Sequence, residues 1–400
     1  MQFLTALSRV IGILGTFLLI SCQPAIESNM LANQRYLAFE PAIDQLSHGL
    51  MNKLQQRRGF FSGKQRIVFN PFLDVDNGQV LQVSLQIEHL FFQQVRDQFK
   101  NFSISRLTPV SLKEADYIVN GLIKYQANRF QTDKEPKKYY RISASIIDLK
   151  TKTIVTQGTA WVVSSGLDYN PTPSYEDNPM YVKGKMLQYI ENAVESPIGT
   201  QVDTDYYVFI ETKALLVEAQ TAYDNGNYGM ARQLFEKIID RPGGKIIEAY
   251  GGLYTTYFKL GDLVAAEENF GKMVEVGVAE KNLPIKLLFQ SNLTEFLEIP
   301  TLRQQYEIWL RQISLYLKSH SNKCVYITGH TSVYGVYDYN KRLSKHRAEK
   351  IQEIMSQTFA GINRRVETIG KGPDEVIVGT TPDSAENAID RRVEFKIVDC

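Results

Sequence analysis

A chain of 400 residues, 44% apolar and 22% charged, has the length for about two to four domains and an ordinary globular balance. Its 45 Lys plus Arg against 44 Asp plus Glu argue against a nucleic-acid partner, because phosphate-binding chains carry a large basic excess. Three cysteines and five histidines, with no C-x-x-C or H-x-x-x-H spacing, argue against structural zinc and metalloprotease chemistry, and no metal or cofactor is expected.

The chain opens with a single charge, Arg9, and the apolar run Val10–Ile20. That run is about 16 Å long as a helix against ~30 Å of hydrocarbon, so it suits a signal peptide and not a membrane span. Leu19-Ile20-Ser21-Cys22 then resembles the bacterial lipobox. The resemblance implies a signal peptide over 1–21 and acylation of Cys22. With Gln23 in place of the aspartate that marks inner-membrane retention, it also implies the outer membrane. More than one acyl chain would hold the protein there firmly. The other reading is an ordinary secretory signal with a chance cysteine. Residues 22–37 lack periodicity and read as a lipidated tether.

Residues 38–168 have a mixed α/β pattern. Arg66–Phe72 reads as a strand interrupted by Pro71, Leu81–Phe99 as an amphipathic helix, and Phe102–Leu107 as a half-buried strand. Glu114-Ala115-Asp116 leads into a strand from Tyr117 to Ile123, and Tyr140–Leu149 with Thr153–Trp161 forms a hairpin around Lys150-Thr151-Lys152. The Ala115–Gly121 run and the Ile146–Val155 hairpin resemble the periplasmic α/β module of the CsgG, LpoB and FlgO lipoproteins. Asp148 would there be a turn-entry residue, not a base. A generic α/β domain fits the same pattern.

Residues 169–203 read as a Pro/Tyr-rich connection. Tyr169–Tyr181 holds three prolines without periodicity, and its tyrosines are expected to dock on a neighbouring domain. Over 204–315 a repeat emerges: Gly226, Tyr228, Ala231 and Phe235 recur 35 residues on as Gly261, Leu263, Ala266 and Phe270. The pattern resembles the tetratricopeptide repeat. The resemblance implies helix hairpins in which the glycine closes the turn, the alanine permits close approach and the phenylalanine fills the gap between hairpins. Pro242-Gly243 ends the first repeat, and the stretch 283–317 reads as further helix capping the array. Such hairpins form protein-binding surfaces.

Residues 316–400 carry Gly329-His330-Thr331-Ser332, Tyr339-Asn340, Leu343-Ser344, Arg347-Ala348 and Asp390-Arg391-Arg392-Val393-Glu394. They resemble the OmpA-like peptidoglycan-binding domain, with its βαβαβ fold. That implies a pocket for the diaminopimelate of the wall's stem peptide, framed by Ser332, Tyr339, Asn340, Leu343, Arg347, Arg391 and Arg392. A zwitterion needs a carboxylate for its ammonium and an arginine for its carboxylate. The family places an aspartate 15 residues before the arginine, and here that position is Ser332, which supplies no charge. Asp338 and Asp390 are the candidate substitutes. Leu343 is equally a core residue, alternation sends one of Arg391 and Arg392 outward, and His330 reads as a hydrogen-bonded structural residue. With Cys22 acylated, Cys324 and Cys400 remain. They either close a disulfide across the strand ends or stay separate, as a buried and a terminal thiol.

No Gly-x-Ser-x-Gly, phosphate loop or paired nucleophile is present, so catalysis is not expected. Two functions fit. One is a tether and scaffold joining outer membrane, peptidoglycan and a periplasmic protein partner. The other is an accessory or regulatory lipoprotein of a secretion, flagellar or wall-synthesis machine, whose OmpA-like domain no longer binds diaminopimelate.

Overall fold

The computed structural model describes residues 35–57, 63–130, 133–134, 137–163, 167–180, 185–281, 283, 285, 287–298, 300–376 and 390–400. The expected signal peptide, Cys22 and most of the tether lie outside the described residues. Among the described residues, no helix is long and apolar enough to cross a membrane.

The first unit is built on a mixed sheet of β1 (Tyr36–Leu37), β2 (Gln65–Phe69), β3 (Leu73–Asp74), β4 (Phe102–Arg106), β5 (Tyr117–Asn128), β6 (Lys137–Asp148) and β7 (Thr153–Val162). The strand order is β1-β7-β6-β5-β2-β4, with β3 also on β5. β4, β2 and β5 run parallel, and β5 to β7 form an antiparallel meander. Strands with near-continuous apolar residues bury both faces. Ile67, Phe69, Val119 and Ile123 pack beneath α1 (Phe39–Gln56) and α2 (Gln82–Gln98), while Val68, Ile118 and Leu122 serve the opposite core. A six-residue helix, α3 (Pro109–Glu114), links β4 to β5. At the hairpin turn the Asp148 carboxylate accepts the N–H groups of Lys150 and Thr151 at 2.9 and 2.8 Å, a turn-entry role.

Two boundaries move from the sequence reading. Tyr36–Leu37, read as the end of the tether, pairs in parallel with Trp161–Val162, and Tyr36 stacks on Tyr139 at 5.0 Å. A two-residue strand offers no periodicity to read. Residues 169–203 are not a mere connection, because they complete the unit. The Tyr169 hydroxyl donates to the buried Asp74 carboxylate, and Tyr175 is buried within α4 (Pro173–Glu176). Helix α5 (Lys185–Glu195) lays Leu187, Ile190, Ala193 and Val194 on the sheet's second face.

Two helix hairpins follow, α6 (Thr204–Asp224) with α7 (Tyr228–Ile239) and α8 (Ile247–Leu260) with α9 (Leu263–Ala279). The 35-residue period persists in the backbone. Gly226 and Gly261 take φ of 75° and 81°, left-handed values that favour glycine at a helix end. The next residues, Asn227 and Asp262, each cap the following helix, accepting from Met230 N at 3.2 Å and Ala265 N at 3.0 Å. Ala231, Phe235, Ala266 and Phe270 are all buried.

Helix α6 serves two cores. Tyr206, Phe209, Ile210, Ala214 and Val217 join the sheet, while Leu215, Leu216, Ala219 and Tyr223 join the hairpins. A helix with apolar residues on two faces can bury both of them, one in each core. Arg106 of β4 adds a polar clasp: its Nη2 meets Glu88 at 2.8 Å and its Nη1 donates to Thr221 of α6 at 3.0 Å.

The expected helix over 283–317 begins only at α10 (Pro300–Ser319). Leu287–Leu288 instead forms β8, antiparallel to Arg392–Val393, and Phe289 bridges to Phe296. Their helix-like spacing was overridden by a strand pairing about 100 residues distant, which local periodicity cannot register. Helix α10 caps the hairpins through Trp309, whose ring stacks on Phe270 at 5.9 Å and whose Nε1 donates to the Tyr254 hydroxyl at 2.7 Å.

The last unit holds β9 (Lys323–His330), α11 (Tyr337–Thr358), β10 (Val366–Gly372) and β11 (Arg392–Asp399), in the sheet order β10-β9-β11-β8. The helix that βαβαβ places between β10 and β11 would fall in 377–389, outside the described residues. The expected boundary at 316 cuts through α10, whose Ile313 and Leu317 share one core with Val325, Ile327, Ile351 and Met355. This unit therefore begins at β8. Cys324 and Cys400 are joined as a disulfide with Cα atoms 5.0 Å apart.

Candidate functional site

The site lies where β9 gives way to α11. Gly329 is what lets the helix lie on the strand, since a Cβ there would come within 1.9 Å of the Ser344 carbonyl oxygen. Asn340, Leu343 and Arg347 then recur at helical spacing along one buried stripe of α11. The Asn340 Nδ2 donates to the Tyr334 carbonyl at 2.9 Å and to the Ser332 carbonyl at 3.4 Å, which fixes the turn after β9.

Arg347 is fully buried, at 0% exposure. Its Nε donates to Leu293 O at 2.9 Å, its Nη2 to Gln290 O at 2.9 Å and its Nη1 to His330 O at 3.2 Å, while the guanidinium lies 5.1 Å from the Phe289 ring centre. The turn after β8 and the end of β9 are thus tied to α11 through one side chain. Around it Ser291, Asn292, Thr331, Ser332, Tyr334 and Arg391 line a pocket with about 10 Å³ of free space.

Ser332, Asn340, Leu343, Arg347 and Arg391 come together as expected. Two residues do not. Arg392 points away: its Nε donates to Glu394 at 2.7 Å and both terminal nitrogens to Glu375 O at 3.2 Å, because strand alternation turns it from its neighbour. Tyr339 is 43% exposed and stands on the rim, its hydroxyl donating to Asn292 O at 3.4 Å. Asp338 and Asp390 are not among the residues that line this space, and Asp390 is fully buried beside Arg391 in the chain. Ser291 and Asn292 escaped the sequence reading because their segment carried the spacing of a helix.

His330 departs from its expected role. It is completely buried, and its ring nitrogens have no hydrogen-bond partner among the described residues. Burial, and next the charge of Arg392, press its imidazole down to about 3, so it is neutral at any physiological pH.

Residues 298–390 match the model of the OmpA family, and the C-terminal unit is an OmpA-like domain. The peptidoglycan-associated lipoprotein of Legionella pneumophila is 37% identical over 98 residues, covering 24% of this chain and 53% of that protein. The chain therefore spans about half the length of that relative. Among solved structures, the peptidoglycan-associated lipoprotein of Burkholderia pseudomallei is 26% identical, covering 28% of this chain and 89% of that one, with a TM-score of 0.25. The cell wall anchor of the T6SS from Pseudomonas aeruginosa is also 26% identical, covering 29% of this chain and 78% of that one, with a TM-score of 0.23.

Proposed function

We propose that the chain is a non-catalytic anchor of the bacterial cell envelope. Acylated Cys22 holds it to the periplasmic face of the outer membrane, and the OmpA-like domain holds peptidoglycan. The tetratricopeptide-like hairpins and the CsgG/LpoB/FlgO-like α/β module bind a periplasmic protein partner. The observation that carries this reading is the OmpA-family match over 298–390, with Ser332, Asn340, Arg347 and Arg391 gathered around one pocket.

The pocket chemistry sets the strength of the contact. A hydroxyl at 332 accepts from an ammonium without an opposite charge, which forgoes about 1–3 kcal/mol of a charge-assisted bond. Weak co-sedimentation with purified sacculi is therefore expected for the protein from residue 23 onward. Ser332→Asp is expected to raise the pelleted fraction, because it restores a partner for the diaminopimelate ammonium. A Ser332→Asp protein that is folded and gains nothing would sink the stem-peptide reading.

The anchor is tested separately. Cys22→Ser is expected to leave the protein in the soluble periplasmic fraction or as uncleaved precursor. Continued fractionation with outer membranes would rule out the acyl anchor.

The closed state of Arg347 favours a second reading, a regulatory lipoprotein whose OmpA-like domain is a protein contact. Complete absence from the sacculus pellet, in both the native and Ser332→Asp proteins, would select it.

A further inference from the structure

A cavity of about 230 Å³ opens between α5, α6 and the turn that leads into α8. Met186, Val208, Phe209 and Ile247 give it apolar walls, and Val208 stands 61% exposed at its mouth. Its charged edge is one-sided. Asp205, Glu248 and Glu280 face it, against Lys185 among the described lining residues.

Glu248 occupies the first turn of α8, partly withdrawn from water. Burial lifts its carboxyl from 4.5 to about 7, and the nearby Glu280 charge pushes the same way. Lys213 is the cation that moderates it, but that amine is itself buried and turned toward the Tyr175 hydroxyl at 3.5 Å. Its own backbone N–H also favours the ionised form, and the carboxylate stands beside a space with apolar walls.

We propose that this cavity receives a lysine side chain presented by a protein partner. The aliphatic stem lies along Met186, Phe209 and Ile247, and the ammonium pairs with Glu248, while Asp205 and Glu280 draw it to the mouth. A slender apolar stem ending in a compact cation suits a site with apolar walls and one inset carboxylate. Three carboxylates against one lysine among the described lining residues disfavour the wall's diaminopimelate, which carries a carboxylate beside each amine. Pairing requires the ionised Glu248, so binding strengthens as pH rises through about 7. Asp205, Glu280, Lys185 and Lys213 are the other charges facing that group.

Calorimetric titration of the full chain with pentylammonium, against 1-pentanol and diaminopimelate, tests this. At pH 8 pentylammonium is expected to bind at least 10-fold tighter than pentanol, and several-fold more weakly at pH 5.5. Glu248→Gln should erase the preference while leaving pentanol binding unchanged, and Val208→Trp should block both by closing the mouth. Equal binding of amine and alcohol, or a preference that survives Glu248→Gln, would overturn the proposal. Diaminopimelate binding as tightly as pentylammonium would likewise overturn it, by assigning the cavity to the wall. Glu248→Gln is expected to pellet with sacculi like the native protein, so the outcome is independent of the anchor reading.

Discussion

Reducing the Cys324–Cys400 bond is expected to lower the stability of the C-terminal unit by about 4–5 kcal/mol. The two cysteines are separated by 76 residues. On the chain-entropy model, closing a loop of that size removes about 4–5 kcal/mol of conformational freedom from the unfolded state. The native geometry accommodates the link through strand register: Val398 of β11 lies opposite Cys324 of β9, and the Cys400 N–H donates to Asn322 O at 2.8 Å. On the envelope reading proposed above, the chain meets the oxidising conditions in which such bonds persist. Urea unfolding of the native and Cys400→Ser proteins, each with and without reductant, measures the effect. Only the native protein should respond to reductant. Denatured, unreduced protein that still offers free thiols at both positions would exclude the bond.

Arg347→Ala is expected to cost about 3–5 kcal/mol in the same unit, before any effect on binding. The substitution strips the Leu293 and His330 carbonyls of their Arg347 donor and leaves the Gln290 carbonyl with the Leu293 N–H alone, at 3.3 Å. Each buried acceptor left unpaired costs about 1–3 kcal/mol, and the lost side-chain volume leaves a cavity as well. Arg347→Lys should recover only part of this, because a single ammonium cannot reproduce the planar fork that reaches three carbonyls. Urea unfolding and sacculus co-sedimentation should therefore fall together. Full stability with lost pelleting would make Arg347 a ligand grip and not a structural tie.

The sequence showed most clearly the features whose signal is local. The 35-residue period from Gly226 to Phe270 appears in the structure as paired positive φ values and paired Asn227 and Asp262 caps, because turn chemistry is written in adjacent residues. The hairpin around Lys150–Lys152 was legible for the same reason. Leu287–Leu288 was misread because its partner is Arg392–Val393, and Tyr36–Leu37 because its partner is Trp161–Val162. Strand pairing at an edge depends on a remote neighbour that no local window contains. In the site, helical spacing correctly gathered Asn340, Leu343 and Arg347. What it could not tell was that the arginine's donors are taken by the fold's own carbonyls, since backbone acceptors have no side-chain signature.

Helix α6 belongs to two cores at once, and α10 runs through the single core that the hairpins share with the C-terminal sheet, and this has a mechanical meaning. A pull applied between the edge strand β1 and the Arg347 pocket passes, among the described residues, through packed helices. The load passes from the sheet into α6, through the hairpins to Trp309, and along α10 into β9. To separate neighbouring units, the force must strip a whole apolar face from a helix of 20 or 21 residues, not straighten a few loose ones. Under the anchor reading proposed above, such a chain acts as a strut between its two points of attachment and not as a slack line.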